Sequence, residues 1–255
     1  MSGPVELSDR AIRALGTPEG AWRRWLPTQP FATVDVPGLL ADAERLVVVA
    51  PHPDDEILAC GGLLAMQVAR GGKVLVIGLT DGEQSHAEVA GFDSAALAVR
   101  RAAERLEGAR RLGVHGDDVL RLALPDTALG AHADALVMQL AALLRPADRV
   151  VSTWRLDGHP DHDACGRATA RACAAVGCSP LEALVWTWNW AQPGDCRVPW
   201  DRIVRLVLSP QAQAAKRHAL HAHASQLSAR SAEIGPVLHD DIVACAAWPD
   251  EYFLR

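Results

Sequence analysis

The chain lacks any apolar run that approaches the roughly 18 consecutive residues of a membrane-spanning helix. Its first residues, MSGPVELSDRAIRALG, also lack the basic end and the apolar core that mark a secretory signal. Both absences predict a cytoplasmic protein with no membrane span.

Positive charge is also scarce, because 25 lysines and arginines are outnumbered by 31 aspartates and glutamates, which gives a formal net charge of −6. Proteins that bind nucleic acid need clustered basic side chains to contact phosphates. The acidic balance therefore argues against nucleic acid as a partner. A small molecule is the expected partner, and the oligomeric state is left open.

The six cysteines form no CxxC pair and show no spacing typical of a zinc finger. In a chain without a secretory signal, we expect reduced thiols that pack as small apolar side chains. The cysteines are Cys60, Cys165, Cys173, Cys178, Cys196 and Cys245.

Short β-branched runs alternate with helix-forming segments along the chain. This alternation predicts an α/β domain in which helices cover both faces of a mainly parallel sheet, a Rossmann-like three-layer sandwich. The run LVVVA at 46–50 is typical of a strand that is buried on both faces. The predicted strands are 46–50, 73–80, 119–124, 149–153, 184–190 and 203–208. The predicted helices are 94–112, 131–144, 161–176 and 210–227.

Residues 1–44 are predicted to form an irregular arm, because five prolines interrupt any long periodicity there. Trp22, Trp25 and Phe31 give this arm apolar side chains with which to pack on the rest of the protein. The expected organisation is therefore an N-terminal arm at 1–44 and one main domain at 45–255.

The segment PHPDDE at 51–56 places one imidazole and three carboxylates directly after the first predicted strand. In an open α/β sheet, ligands bind at the carboxyl ends of the strands. So many ionisable groups beside a buried strand are costly unless something satisfies them, and a divalent metal ion would do so. On its own, the segment is equally consistent with a turn in which Asp54 or Asp55 caps a helix.

A second polar segment, DGHPDHD at 157–163, follows the predicted strand 149–153. His159 and His162 are three residues apart in it, with Asp161 between them. Histidine together with carboxylate suits zinc, and a catalytic zinc site keeps three protein ligands and one open position. Both segments would lie at the same edge of the sheet, so together they favour a metal site over two unrelated turns.

PHPDDE after a first strand, with HPDH at 159–162, resembles the PIG-L/LmbE family of zinc-dependent N-acetylglucosamine deacetylases. The family's first motif is usually AHPDDE, so Pro51 is a departure beside the implied ligand. Weaker similarities are TDGE at 80–83, RAAE at 101–104, LPD at 124–126, and Lys216 with HASQ at 223–226. The resemblance covers residues 45–228. It implies an LmbE-like fold, a Zn²⁺ cofactor and an amino sugar or glycoconjugate as substrate.

The resemblance also implies roles for residues in both segments. The implied metal ligands are His52, Asp55 and His162. Asp54 is the implied general base, and His159 is implied to stabilise the oxyanion and to protonate the leaving amine. We expect Asp161 to orient His159 and keep it protonated, as carboxylates beside histidines often do. Spacing alone does not distinguish Asp54 from Asp55, so that assignment depends on the family.

By family position, Arg101 and Asp126 are candidate substrate-binding residues for sugar hydroxyls or a nearby anionic group. Alternatively, Arg101 pairs with Glu104 one helical turn on, and Asp126 is a turn residue. In VWTWNW at 185–190, three tryptophans share one face of the predicted strand. Such a row can stack on a sugar, but it more often packs in a core or an interface.

We therefore expect a zinc-dependent hydrolase that removes an N-acetyl group from an N-acetylglucosamine-type amino sugar or its conjugate. Cleavage of a different acyl group, or another zinc-assisted addition of water, is the neighbouring alternative. A nucleotide-binding protein is disfavoured, because no GxGxxG is present and a loop crowded with carboxylates would repel phosphate. A non-catalytic carbohydrate-binding protein is a further alternative, although all the expected catalytic positions are occupied.

Overall fold

Eight strands form one sheet in the computed structural model, which describes residues 10–13 and 15–255. The strands are Ala32–Val34 (β1), Arg45–Ala50 (β2), Lys73–Thr80 (β3), Val119–Leu124 (β4), Asp148–Thr153 (β5), Ser179–Ala183 (β6), Ile203–Val207 (β7) and Asp250–Leu254 (β8). They lie in the order β1–β7–β8–β6–β5–β2–β3–β4. Within this described sheet, β8 alone runs antiparallel to its neighbours.

Helices cover both faces of the sheet. The α-helices are Glu19–Trp25 (α1), Val36–Leu40 (α2), Asp55–Ala69 (α3), Ser94–Arg111 (α4), Ala133–Leu143 (α5), Pro160–Val176 (α6), Thr187–Trp190 (α7), Pro210–Leu220 (α8), Ala224–Leu227 (α9) and Asp240–Ala246 (α10). On β2, Leu46 and Val48 pack with α3 and α8, whereas Val47 and Val49 pack with α5 and α6. The predicted three-layer α/β fold is therefore confirmed. The strand predicted at 46–50, which is β2 in the structure, is buried on both faces as expected.

Two predicted elements are wrong. The stretch 184–190 is not a strand, because β6 ends earlier and the chain turns into the short helix α7. The alternating tryptophans suggested an extended chain, but the N–H groups of 185–187 bond to the carboxylate of Asp157 and not to a neighbouring strand. The predicted helix 210–227 is broken between α8 and α9, where His223 has a non-helical backbone.

The N-terminal segment is more regular than predicted, because it contains α1, the edge strand β1 and α2. Strand β1 pairs in parallel with β7, so this segment extends the sheet. Trp22 is fully buried and donates its indole N–H to the Trp188 carbonyl oxygen at 2.9 Å. The boundary at residue 44 stays a prediction, and residues 1–9 and 14 of the predicted arm lie outside the described part of the chain.

Helix α3 is kinked at Cys60, whose backbone angles (φ −154°, ψ 30°) are not helical. The Glu251 carboxylate of β8 accepts the N–H groups of Gly62 and Leu63 just after the kink, at 2.7 and 2.9 Å. Lys216 of α8 donates to Glu251 at 2.7 Å and to a carbonyl oxygen of α3 at 3.2 Å. This buried ion pair therefore satisfies the backbone groups around the kink and holds α3 in place.

No helix in the described residues is both long and apolar enough to cross a membrane. The structure holds the six cysteines as free thiols, five of them buried. The cytoplasmic location stays a prediction.

Candidate active site

A cleft of about 240 Å³ opens at the carboxyl edge of the sheet. The loops that follow β2, β3, β4, β5 and β6 supply most of its walls. Both polar segments reach this edge, because β2 and β5 are neighbouring parallel strands. The ionisable side chains that line the cleft are His52, Asp54, Asp55, Glu88, Arg101, Asp126 and His159.

Asp55 lies between two imidazoles at the start of α3. Its Oδ2 atom is 3.1 Å from His52 Nδ1 and 3.2 Å from His162 Nε2. Burial would raise the pKa of the Asp55 carboxyl group, but the flanking imidazoles hold it well below its ordinary value. The same oxygen accepts the backbone N–H of His52 at 2.9 Å, so the turn between β2 and α3 fixes this arrangement.

Helix α6 brings His162 to Asp55 because its sequence lets it lie close to β5. His159 caps the helix and Pro160 occupies its first turn, where a missing N–H costs nothing. A side chain at Gly166 would put a Cβ atom 2.6 Å from the Thr153 carbonyl oxygen, so only glycine permits this approach. His162 is fully buried as a result.

These groups fit a divalent metal ion. Buried polar atoms are normally hydrogen-bonded, yet His162 Nε2 is buried and has no hydrogen-bond partner among the described residues. The imidazoles of His52, His159 and His162 offer ligand atoms that lie within 4.8 Å of one another. His52, Asp126 and Asp161 form a second such group. Imidazole and carboxylate are ligands that zinc accepts.

Asp54 has a strained backbone where α3 begins. Its φ of 118° lies in a region that residues with a side chain rarely adopt. Its carbonyl oxygen nevertheless accepts the N–H groups of Ile57 and Leu58, both at 2.9 Å. Burial raises the pKa of Asp54 to about 7, although the Arg101 guanidinium 3.4 Å away opposes the shift.

The Arg101 side chain is buried and makes several contacts within the protein. It is 2% exposed, and it donates to two backbone carbonyl oxygens in the loops after β2 and β3, each at 2.7 Å. It pairs with Asp54, whereas Glu104 pairs with Arg100 at 3.1 Å. Arg101 therefore braces the start of α3 from α4. It also lines the cleft, and its contact with substrate stays a prediction.

Asp126 contacts the site as well as its own loop. Its Oδ1 atom is 3.3 Å from His52 Nε2, and its Oδ2 accepts the backbone N–H of Gln84 at 2.8 Å. Burial would raise the pKa of Asp126, but the bond to His52 lowers it to about 2. Its place in the cleft wall is compatible with substrate binding, which stays a prediction.

One ring nitrogen of His159 is held by the backbone of its own helix. Its Nδ1 accepts the backbone N–H of Asp161 at 3.2 Å, so the ring carries its proton on Nε2. Burial, together with the positive charge of the neighbouring His52 and His162 imidazoles, lowers the pKa of His159 to about 3. The hydrogen bond at Nδ1 leaves Nε2 as the donor of this ring. The protonated state that the resemblance implies for His159 stays a prediction.

We expected the Asp161 carboxylate to orient the His159 ring, but it contacts other groups. Its oxygens accept the backbone N–H groups of Thr127 and Leu129 at 2.7 and 3.1 Å. One of them also lies 3.4 Å from His52 Nε2. The carboxylate of Asp161 therefore accepts N–H groups of the loop after β4. The backbone N–H of Asp161 holds the His159 ring instead.

Asp157 has no predicted role, although it stands in the second polar segment. It is fully buried and accepts a hydrogen bond from His162 Nδ1 at 2.8 Å. This bond directs His162 Nε2 toward Asp55. In the sequence, Asp157 is visible as a further carboxylate two residues before His159. Spacing alone does not show that its partner is His162.

Two of the four weaker motifs, RAAE at 101–104 and HASQ at 223–226, contact each other. Glu104 of α4 accepts the backbone N–H of Ser225 at 2.9 Å and its hydroxyl at 2.5 Å. Ser225 in turn accepts from Gln226 Nε2 at 2.9 Å, and Gln226 lines the cleft. The motifs therefore form one buried network that joins α4 and α9 behind the site.

Only one of the three tryptophans in 185–190 lines the cleft, namely Trp186. Trp188 and Trp190 are 8% and 5% exposed, and both donate their indole N–H groups to backbone carbonyl oxygens. Contrary to our expectation, the three tryptophans therefore do not share one face. Two rings pack in the core, and Trp186 is half-buried between that core and the cleft.

Comparisons with known proteins agree on the class of protein. A family model described as "PIG-L: GlcNAc-PI de-N-acetylase" matches residues 47–173. A 1D-myo-inositol 2-acetamido-2-deoxy-alpha-D-glucopyranoside deacetylase of Rhodococcus jostii (strain RHA1) is 30% identical over a 256-residue alignment, which covers 78% of this chain and 87% of that protein.

Solved structures share the fold. The A40926 pseudoaglycone deacetylase Dbv21 matches with a TM-score of 0.64 at 22% identity, over 84% of this chain and 97% of that one. The N,N'-diacetylchitobiose deacetylase of Pyrococcus horikoshii matches with a TM-score of 0.58 at 21% identity, over 82% of this chain and 76% of that one.

Together with the cleft and its histidines, these matches define the class of protein as a deacetylase. The chain belongs to the PIG-L family. The resemblance that was drawn from the two histidine motifs is therefore confirmed, and so is the predicted class of enzyme.

Proposed function

We propose that this protein is a zinc-dependent hydrolase that removes the N-acetyl group from an N-acetylglucosamine-type sugar carried on a conjugate. One observation carries the proposal: Asp54 lies in the cleft beside the cluster of His52, Asp55 and His162. The name of the Rhodococcus jostii relative, an acetamido-glucopyranoside deacetylase, supports the sugar class.

His52, Asp55 and His162 would hold the ion, one ligand from each end of the β2–α3 turn and one from α6. When bound there, zinc supplies Lewis acidity to the acetamide carbonyl and to the attacking water. The Nε2 atom of His162 supports this ligand set, because it is buried, lies 3.2 Å from Asp55 Oδ2 and has no hydrogen-bond partner in the described part of the chain. The protein's part is to keep the three groups converging, which Asp55 does through its contacts with both imidazoles.

Asp54 would act as the general base. It is adjacent to Asp55 in the chain and lines the cleft, whereas the Asp55 carboxylate contacts both imidazoles. A carboxylate within reach of the attacking water can take its proton and later pass that proton to the leaving amine. Arg101, 3.4 Å from Asp54 Oδ2, holds the carboxylate in position.

His159 would stabilise the oxyanion through a hydrogen bond from Nε2. Its Nδ1 accepts the Asp161 backbone N–H, so the ring has one proton to offer and offers it at the other nitrogen. Fixed donors aimed at a developing oxyanion are worth about 10²–10³ in rate. Because Nδ1 already accepts a hydrogen bond, the ring keeps its Nε2 proton for the oxyanion, and we assign the proton for the leaving amine to Asp54.

The sugar would bind along the cleft wall that contains Asp126 and Trp186. Asp126 offers a carboxylate to sugar hydroxyls, and the half-buried indole of Trp186 offers an apolar surface to the ring. Arg101 is a weaker candidate for direct contact, because its guanidinium already makes three bonds within the protein.

Two variants test these roles separately. Asp54→Asn should abolish deacetylation and keep stoichiometric zinc, because the side chain keeps its shape but an amide cannot take a proton from water, and Asp54 is not one of the proposed ligands. His162→Ala should lose the zinc, because it removes a ligand. Metal analysis after dialysis and an assay of released acetate measure both. An active Asp54→Asn protein, or a fully zinc-loaded His162→Ala protein, would contradict the assignment.

A further inference from the structure

The Asp157 carboxylate is the acceptor of five hydrogen bonds from two parts of the chain. On Oδ2 it accepts from His162 Nδ1 at 2.8 Å and from the Trp186 backbone N–H at 2.9 Å. On Oδ1 it accepts from the backbone N–H groups of Val185 and Thr187, at 3.1 and 3.0 Å. The Thr187 hydroxyl adds a fifth bond to Oδ1 at 2.7 Å.

One side of this arrangement sets the state of His162. An ionised carboxylate only accepts, so His162 Nδ1 must carry a proton in this bond. The ring is thereby fixed with Nε2 toward Asp55, and Nε2 is the buried atom that has no hydrogen-bond partner among the described residues. A carboxylate on the far nitrogen of a metal-binding histidine is a common way to fix the ring and raise its basicity.

The other side sets the path of the chain after β6. Three consecutive N–H groups, those of residues 185–187, turn toward Asp157 and away from any strand. This turn ends β6 and begins α7. It places Trp186 in the wall of the cleft while Trp188 and Trp190 enter the core.

We propose that Asp157 is a positioning residue that couples the metal ligand His162 to the substrate wall at Trp186. The proposal rests on the proposed function, since it takes His162 as a ligand and Trp186 as a wall for the sugar. Through one buried carboxylate, the same displacement would change both the metal affinity and the fit of the substrate.

An asparagine at this position cannot reproduce the arrangement. The amide has the same shape, but only one of its two outer atoms accepts hydrogen bonds. If its oxygen takes the place of Oδ1, the donors from His162 and Trp186 meet an NH₂ group. If its oxygen takes the place of Oδ2, the three donors of Val185 and Thr187 meet the NH₂ group instead. Either orientation leaves at least two buried donors without an acceptor.

The test compares Asp157→Asn with Asp163→Asn and Thr187→Val. Asp163 is a matched control from the same segment, because its carboxylate contacts Gly158 and Arg167. Thr187→Val removes one donor to Asp157 and leaves the bond to His162 intact. For each folded protein, as judged by circular dichroism, the zinc Kd is measured by competition with a chelator, and kcat and KM are measured at saturating zinc.

We expect Asp157→Asn to raise the zinc Kd about 10–100-fold, the usual cost of losing such an outer partner. Its KM should stay raised even when saturating zinc restores the metal. Asp163→Asn should leave the zinc Kd unchanged. Thr187→Val should raise KM about two- to tenfold, as the loss of one hydrogen bond predicts, and should raise the zinc Kd by less than Asp157→Asn does, because the bond to His162 remains.

A folded Asp157→Asn protein with the zinc Kd of the wild type would overturn the proposal. An unchanged KM in Thr187→Val would also overturn it, and this variant decides if Asp157→Asn does not fold. The zinc measurement needs no substrate. If Asp157→Asn weakens zinc binding while the wild type releases no acetate from amino sugars, the positioning of His162 stands and the proposed function falls.

Discussion

At the scale of single residues, Asp54 shows how the site stores strain. Its φ of 118° would suit glycine, yet the position carries a buried carboxyl group beside Arg101. Residues held in such conformations cost about 1–3 kcal/mol and occur mostly where function requires them. The strain therefore marks the same carboxylate that the proposed reaction needs as its base.

Two substitutions at Asp54 separate strain from chemistry. Both Asp54→Ala and Asp54→Gly remove the carboxylate and should abolish activity. The glycine variant should nevertheless be the more stable by about 1–2 kcal/mol, because glycine adopts positive φ without a steric penalty. Urea denaturation measures the difference. Glycine is also a better N-cap residue than alanine, so both effects favour the glycine variant. An alanine variant at least as stable as the glycine variant would show that the backbone of Asp54 is not strained.

Residue by residue, the sequence predicted the contiguous parts of the site best. His52, Asp54 and Asp55 share one turn, so a motif reveals them together, and the parallel pairing of β2 and β5 brings the second histidine segment alongside. The direction of each side chain was less predictable. Asp161 and Asp157 stand in the same segment, yet Asp161 accepts from Thr127 in the loop after β4, and Asp157 accepts from the N–H groups of 185–187 as well as from His162. Spacing within a segment does not encode these partners.

At the scale of elements, the kink in α3 depends on the last strand of the sheet. Glu251 of β8 accepts the N–H groups of Gly62 and Leu63, and Lys216 of α8 neutralises its charge. The resemblance drawn from motifs ended at residue 228, before β8. The structure shows that this final strand nevertheless helps to hold the helix that begins at Asp55, directly after Asp54.

Removal of Glu251 tests that dependence. Glu251→Ala should lower the free energy of unfolding by about 3–5 kcal/mol, because it leaves the Lys216 ammonium buried without an anionic partner. Adding Lys216→Met should recover part of this loss, since the unpaired charge is then gone. Urea denaturation of the single and double variants measures both effects. If the double variant is no more stable than the single one, the buried charge is not the cause.

Element boundaries were predicted where local sequence decides them. Runs such as LVVVA gave the central strands, and α6 has Pro160 in its first turn and Gly177 in the left-handed conformation at its end. The failures have long-range causes. The carboxylate of Asp157 turns residues 185–187 out of an extended path, and β1 is an edge strand too short and too exposed to show a hydrophobic run.

At the scale of the whole molecule, loops that follow five strands of the sheet line one cleft. The N-terminal segment adds β1 as the outermost strand on one side of the sheet. The carboxyl edge collects a formal excess of acidic groups, which is where a cation would bind. Composition reports only a net charge of −6 for the chain and does not locate it. Topology, once predicted from the alternation of strands and helices, is what located the site.

The central claim is that the intact protein hydrolyses the acetamide of an amino sugar. The most direct measurement incubates the zinc-loaded protein with N-acetylglucosaminyl conjugates and follows acetate and free amine together by proton NMR. The account predicts that acetate and amine appear in equal amounts, and that the Asp54→Asn protein with zinc bound produces neither. Absence of acetate from every N-acetylglucosaminyl conjugate, with release of a different acyl group or hydration of a non-amide substrate in its place, would contradict it.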